Sequence, residues 1–253
     1  MLTKALIKQI RSLKIKKFRD SEQLFVVEGP KMLAELVSSP QWKIEMVYAT
    51  DELLVEEICP SAPFSIISER ELEQISGLST PHKVLATVHY AADKNDRTNI
   101  FSGFHILLDK IQDPGNLGTI LRIADWFGVD GLICSTESVD FYNPKVIQAS
   151  MGSVFRIQIQ YVNLSNFLEE NSNSSKLPVY AAMLEGENLY GCSLPKDGLL
   201  LMGNESKGVD SLLNKFITNK LHIPAGKSID PKAESLNVAI ATAIICSEWA
   251  RSK

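Results

Sequence analysis

Four apolar residues in a row, Leu199-Leu200-Leu201-Met202, stop at Gly203-Asn204-Glu205. A run so short and so apolar is a buried strand, and this one hands a carboxamide and a carboxylate to the loop at its end. A second apolar tip, Leu221-His222-Ile223-Pro224, also ends in a loop. Ser235-Leu236-Asn237 then leads into residues 238–249, which read as a buried helix. Three loops thus carry polar groups able to converge. The Ser235 hydroxyl and the Asn237 amide stand where a helix begins, so they either satisfy free N–H groups of its first turn or turn toward a ligand. Capping is the simpler role for Ser235 taken alone; beside the two preceding loops, the ligand is favoured.

Elsewhere apolar strands alternate with amphipathic helices. Residues 24–27 read as a strand closed by Glu28-Gly29-Pro30, and residues 31–37 as a helix. Strand and helix repeat at 44–48 and 51–58 and at 64–67 and 69–75, before a strand at 84–88. That alternation predicts a small α/β sandwich over residues 1–90. Residues 91–99, AADKNDRTN, hold almost no apolar side chain and mark a linker. Residues 100–253 form a second unit with strands at 105–108, 131–134, 155–161, 179–183 and 199–202, a pattern that predicts a parallel sheet with helices on both faces.

The first of these strands runs into Asp109-Lys110-Ile111-Gln112-Asp113-Pro114-Gly115-Asn116, where Asn116 is placed to cap the helix that carries Ile120, Leu121, Ile123, Ala124 and Phe127. Arg122 lies among these apolar residues. Buried there, it needs an acidic, phosphate or carbonyl partner.

Charge is unevenly spread. The 253-residue chain has a net charge of −4, yet Lys4, Lys8, Arg11, Lys14, Lys16, Lys17 and Arg19 crowd its first 19 residues without an acidic neighbour. Leu6, Ile10, Leu13 and Phe18 share roughly one helical face, so residues 3–18 read as one helix docked by that stripe. A solvated basic face is the bland alternative; a footprint for a polyanion is the sharper one. With 45% apolar residues the chain has core enough for one or two domains, no apolar run reaches membrane-span length, and no secretion signal is evident. Cys59, Cys134, Cys192 and Cys246 are widely separated, and the four histidines lack ligand spacing, which argues against a metal site and for reduced thiols in a cytoplasm.

The blocks LLDKIQDPGNLGTILRIADWFG, LLLMGNESKGV and IPAGKSIDPKAESLNVAIATAI, in that order, resemble motifs 1, 2 and 3 of the SpoU (TrmH-like) family of RNA ribose 2′-O-methyltransferases. QASMGSVFRIQI between the first two is also similar to that family. FVVEGPKMLAEL and STPHKVLATV resemble the L30e-like substrate-binding domain of its rRNA-modifying members. The resemblance implies a trefoil knot in the second unit, S-adenosylmethionine as cofactor, a homodimer, and an RNA substrate, 23S rRNA ahead of tRNA. It implies that Gly203, Ile223 and Leu236 hold the cofactor and that Asn116, Arg122, Glu205, Ser235 and Asn237 form the reactive centre, with Glu205 and Asn116 orienting Arg122. Lys8, Arg11, Lys14, Lys16, Lys17, Arg19 and Lys31 become the candidates for RNA contact. Two departures stand out. The loop PAGKSIDPKAE is long and charged for this family, and His82-Lys83 stands where Gln-Gly is frequent.

Two other classes compete. A non-catalytic RNA binder on the same fold has no use for the Asn116, Arg122, Glu205 and Ser-Leu-Asn set. A nucleotide-dependent oxidoreductase would need a G-x-G-x-x-G after a strand, and the sequence has none.

Overall fold

The computed structural model describes residues 1–91, 102–174, 176–226 and 234–252. Residues 92–99 of the expected linker, and residues 227–233 of the loop that follows Pro224, lie outside the described residues. The chain divides into two compact units, and Asp140–Arg156 belongs to the first although it comes after the linker in sequence.

The first unit contains α1 (Lys4–Ser12), α2 (Lys16–Glu22), β1 (Leu24–Glu28), α3 (Pro30–Val37), β2 (Ile44–Ala49), α4 (Glu52–Ile58), β3 (Phe64–Ile66), α5 (Glu69–Ile75) and β4 (Val84–His89). Its sheet has the order β1-β4-β2-β3, with β4 antiparallel to β1 and β2, and β3 parallel to β2. Strand alternation sends Val26, Tyr48 and Leu85 into a core with Ile10 and Leu13 from the N-terminal segment and with Leu72 and Ile75 of α5. On the other face Phe25 packs edge-on against Trp42, which in turn meets Phe155 from the Asp140–Arg156 segment. That contact explains a local departure: the strand expected at 155–161 starts only at Ile159, because Phe155 sits in a 3-10 turn (Ser153–Phe155) with its ring buried.

The single helix expected over 3–18 is two helices, and the cause is Arg19. Its side chain is 1% exposed. Nη1 donates to the carbonyls of Leu13 (2.9 Å) and Lys14 (3.0 Å), and Nη2 pairs with Asp140 at 2.7 Å. A guanidinium folded beneath the chain break in this way satisfies carbonyls that a continuous helix would have used itself. Arg19 is therefore a structural residue and leaves the set of RNA candidates, while Phe18, expected on the docked stripe, is 42% exposed. Lys14 donates to the Ser76 carbonyl and Lys16 pairs with Asp20, whereas Lys8, Arg11, Lys17 and Lys31 are exposed. Asp140→Asn keeps an acceptor but removes the countercharge, so it is expected to cost about 2 kcal/mol in urea unfolding. An unchanged midpoint would show that the pair contributes nothing.

The second unit contains β5 (Phe104–Leu108), α6 (Pro114–Phe127) and β6 (Gly131–Ser135); α7 (Pro144–Ser150) follows but belongs to the first unit. Then come β7 (Ile159–Val162), α8 (Leu164–Asn173), β8 (Val179–Asn188), β9 (Gly198–Met202), β10 (Asn219–His222) and α9 (Val238–Arg251). Six strands lie in the order β10-β8-β9-β5-β6-β7, every neighbouring pair parallel. Every residue of β5, β6 and β9 is buried, which is why these strands read as unbroken apolar runs. Leu107, Ile133, Leu199 and Leu201 face Leu164 and Leu168 of α8. Phe104 points to the opposite face, where Trp249 of α9 stacks on it at 4.1 Å.

Candidate active site

In a parallel sheet all strands end at one edge, and here the order reverses at its middle: β5 leads to β6 and β7 on one side, while β9, β8 and β10 lie on the other. The loops after β5 and β9 therefore diverge at a switch point, the place where open α/β sheets hold ligands. Asn116 lies beyond β5, Gly203 and Glu205 follow β9, and Ile223 follows β10.

The start of α6 differs from the expectation in a way that matters. Asp113 is the N-cap, with Oδ1 accepting from the Asn116 N–H at 2.8 Å, and Pro114 takes the first helical position. Relieved of capping, the Asn116 side chain becomes a bridge. Its Nδ2 donates to Glu205 Oε1 at 2.9 Å, and its Oδ1 accepts from Asn237 Nδ2 at 3.0 Å. Asn237 also caps α9, with Oδ1 accepting from the N–H groups of Ala239 (2.9 Å) and Ile240 (3.3 Å). One carboxamide thus caps α9 through its oxygen and reaches Asn116 through its nitrogen. Ser235, the other candidate cap, is exposed, and among the described residues no hydrogen bond engages its hydroxyl.

Asn204, absent from the candidate set, completes the network. Its Nδ2 donates to the Lys110 carbonyl (2.7 Å) and to Glu205 Oε2 (3.3 Å), so two carboxamides grip the two carboxylate oxygens of Glu205. Its Oδ1 accepts from the N–H groups of Ser206 and Lys207. Backbone bonds between Asn204 and Gly208 run in both directions, closing a tight loop. Gly203 has no alternative there: a Cβ would lie 2.3 Å from Gly208 C and from Val209 N. The signal was the Asn next to Glu205 at a strand end, since a short carboxamide both makes Asx turns and clamps a neighbour.

Lys110 anchors the other wall. It sits at φ 57°, its N–H donates to Ser135 Oγ at 2.9 Å, and its Nζ pairs with Asp210 at 2.5 Å. The Lys110 ammonium holds the Asp210 carboxyl below its usual range, and Asp210 in turn raises the lysine. Asp109, buried beside them and accepting from the Asp210 N–H at 2.7 Å, is pushed up by desolvation. The two shifts oppose each other. Asp210 contributes stability above the ordinary carboxylate range that is lost as pH falls through its depressed value, whereas Asp109 costs stability at neutral pH and is relieved as acid protonates it.

Arg122 does not join this network. Six residues after Asn116 it lies roughly 240° further round the helix, and it is exposed rather than buried among its apolar neighbours. Asn116 and Glu205 bond each other instead of orienting the guanidinium, and among the described residues no hydrogen bond or ion pair engages it. Ile223 is partly buried and Leu236 is 50% exposed. Among the described residues, no group of three or more His, Cys, Asp or Glu could hold a metal, and no helix is long and apolar enough to cross a membrane.

The SpoU rRNA methylase family model matches residues 103–247, more than half of the chain, and an MRM3-like substrate-binding domain model matches residues 4–86. The chain belongs to the SpoU rRNA methylase family. This SpoU-family chain is 29% identical to the 23S rRNA (guanosine(2553)-2′-O)-methyltransferase RlmP of Bacillus subtilis, over 94% of its own length and 93% of the relative's. Among solved structures, a TrmH-family protein from Porphyromonas gingivalis is 38% identical with a TM-score of 0.89, each chain covered in full at 100%. An AdoMet-bound rRNA methyltransferase from Sinorhizobium meliloti is 30% identical with a TM-score of 0.86, over 99% of this chain and 96% of that one. As a SpoU-family member the chain is an RNA methyltransferase.

Proposed function

We propose that this chain transfers a methyl group from S-adenosylmethionine to a ribose 2′-hydroxyl of 23S rRNA. The observation that carries the reading is the Asn237–Asn116–Glu205 chain of hydrogen bonds, which unites the three motif loops, with Arg122 left unengaged on α6. The target RNA is supported by relatives such as RlmP, whose name specifies 23S rRNA and the 2′-oxygen.

Gly203, Ile223 and Leu236 would hold the cofactor. The residues fit: backbone loops at the carboxyl end of a parallel sheet, a glycine with no room for a side chain, and apolar groups left partly open are the lining a nucleoside needs. When bound, S-adenosylmethionine supplies an electrophilic methyl group on a sulfonium. The ribose oxygen would take that carbon as its bond to sulfur breaks, the sulfur leaving as a neutral thioether, and would shed its proton. A guanidinium is protonated at neutral pH and cannot accept it, so Arg122 donates to the oxygen or to the adjacent phosphate and offsets the negative charge that develops there. The proton leaves through water or phosphate. Glu205, gripped by Asn116 and Asn204, and Ser235 with Asn237 shape the ribose side of the site.

The same reading takes the chain as a cytoplasmic homodimer with its tail threaded as a trefoil knot. Support for pairing comes from α6 and α9, which pack together and expose Trp126 (84%) and Ile240 (52%). Sedimentation equilibrium tests it, and a monomer at micromolar concentration would contradict it. For the activity, the protein is incubated with methyl-labelled S-adenosylmethionine and separate 23S rRNA and tRNA transcripts, and the labelled nucleotides are identified. Label on a ribose of 23S rRNA is expected. Label on a base, label confined to tRNA, or cofactor binding without transfer would each overturn the reading.

A further inference from the structure

Lys83 is held in a backbone conformation that a lysine disfavours, at φ 53°. Four other non-glycine residues share a positive φ, and each has a local reason. Gln23 and Met151 are left-handed C-caps of α2 and α7, Lys176 donates its N–H back to Asn171 at the end of α8, and Lys110 is fixed at both peptide ends and by Asp210. Lys83 ends no helix, and among the described residues no hydrogen bond or ion pair engages its exposed ammonium.

Its backbone is nonetheless locked. The Val84 N–H donates to the His82 carbonyl at 2.5 Å, closing a three-residue turn with Lys83 at its centre, and that turn is the strained form when the central φ is positive. The Lys83 carbonyl accepts from the Thr50 N–H at 2.9 Å, tying the start of β4 to the end of β2. One residue on, Val84 accepts from the Gly29 N–H at 3.0 Å, tying it to the end of β1. The turn cannot relax without breaking the sheet's edge. His82 lies against Gly29, where a built Cβ would be 3.7 Å from the His82 Cβ, and exposed Lys31 follows two residues later. Of the acidic residues at this edge, Glu28 at the end of β1 is buried and accepts from Ser76 Oγ and the Gly77 N–H, and Asp51 after β2 caps α4 through Oδ1. Glycine would adopt this φ freely, so the backbone here gains nothing from a lysine side chain, and strain of this kind gathers at functional sites.

We propose that Lys83 is an RNA-phosphate contact, with its ammonium presented from a rigid strained turn beside Lys31 at the β1–β4–β2 edge of the first unit. The proposal rests on the RNA-methyltransferase reading. A lysine fixed by its backbone loses less freedom on meeting a phosphate, and it adds affinity that is indifferent to base sequence.

Stability and binding should therefore move in opposite directions. In Lys83→Gly the relief of strain exceeds the gain in unfolded-chain freedom, and urea unfolding is expected to show a roughly fewfold larger folding constant. Binding to a 23S rRNA transcript, followed against potassium chloride concentration, is expected to weaken several-fold, with the slope of log K against log salt shallower by about 0.7 to 0.9. Lys83→Arg keeps the wild-type slope. A Lys83→Gly protein with the wild-type affinity and slope, or one that binds less only because it is less stable, overturns the proposal. If the wild type methylates the transcript while Lys83→Gly binds unchanged, only this contact is wrong. If the wild type neither binds nor methylates that RNA, the underlying reading has failed instead.

Discussion

Replacing Arg122 with alanine is expected to leave S-adenosylmethionine binding within about twofold and to lower methyl transfer to RNA by roughly 10²- to 10³-fold, the usual cost of deleting one donor aimed at developing charge. The separation of the two effects follows from position. Arg122 lies on an exposed face of α6, outside the hydrogen-bond chain formed by Asn116, Glu205 and Asn237, so its removal releases no partner and opens no cavity. A folding defect is not expected either, because surface substitutions of this kind usually change stability by less than about 0.5 kcal/mol. Equilibrium titration with the cofactor and single-turnover transfer on the 23S rRNA transcript read the two quantities separately. Transfer at the wild-type rate would remove Arg122 from the reaction, and loss of cofactor affinity in step with rate would make it part of the cofactor site.

Gly203→Ala should fail in the opposite order, losing the cofactor first. The new Cβ would have to occupy space 2.3 Å from backbone atoms of Gly208 and Val209, and backbone cannot rotate away as a side chain end can. The loop must open, breaking the paired Asn204–Gly208 bonds and displacing Asn204 from Glu205. Overpacking of this kind costs about 1 to 3 kcal/mol, and most of it falls on a loop rather than on the buried strand β9. The expected result is a folded protein with S-adenosylmethionine affinity down at least roughly tenfold, the equivalent of about 1.4 kcal/mol, and correspondingly slow transfer at fixed cofactor. Calorimetric titration checks it; wild-type affinity would mean that this loop does not touch the cofactor.

The elements were legible in the sequence where one physical signal dominated. β5, β6 and β9 are buried along their whole length, so their apolar runs had no competing explanation. Proline and glycine marked the limits of some helices, as Pro114 and Gly128 do for α6. What escaped were contacts between residues distant in sequence. Arg19 reads as one more cation in a basic run until Asp140, 121 residues later, is folded against it. Asn116 reads as a helix cap because Asp113 is an equally good one, and helix periodicity cannot choose between them. Its actual partners lie 89 and 121 residues away. Arg122 was expected to be buried and partnered because its neighbours in the sequence are apolar, but a helix face is set by azimuth, and this residue falls on the open side.

Loops from three parts of the chain act as one unit through Asn116. A double-mutant cycle on kcat/KM for methyl transfer, with Asn116→Ala, Glu205→Ala and the pair together, measures that coupling directly. If the two side chains act through each other, the double variant is little worse than the poorer single variant, and the interaction energy exceeds about 1 kcal/mol. Losses that simply add, within about 0.5 kcal/mol, would contradict the shared network and with it the site described above.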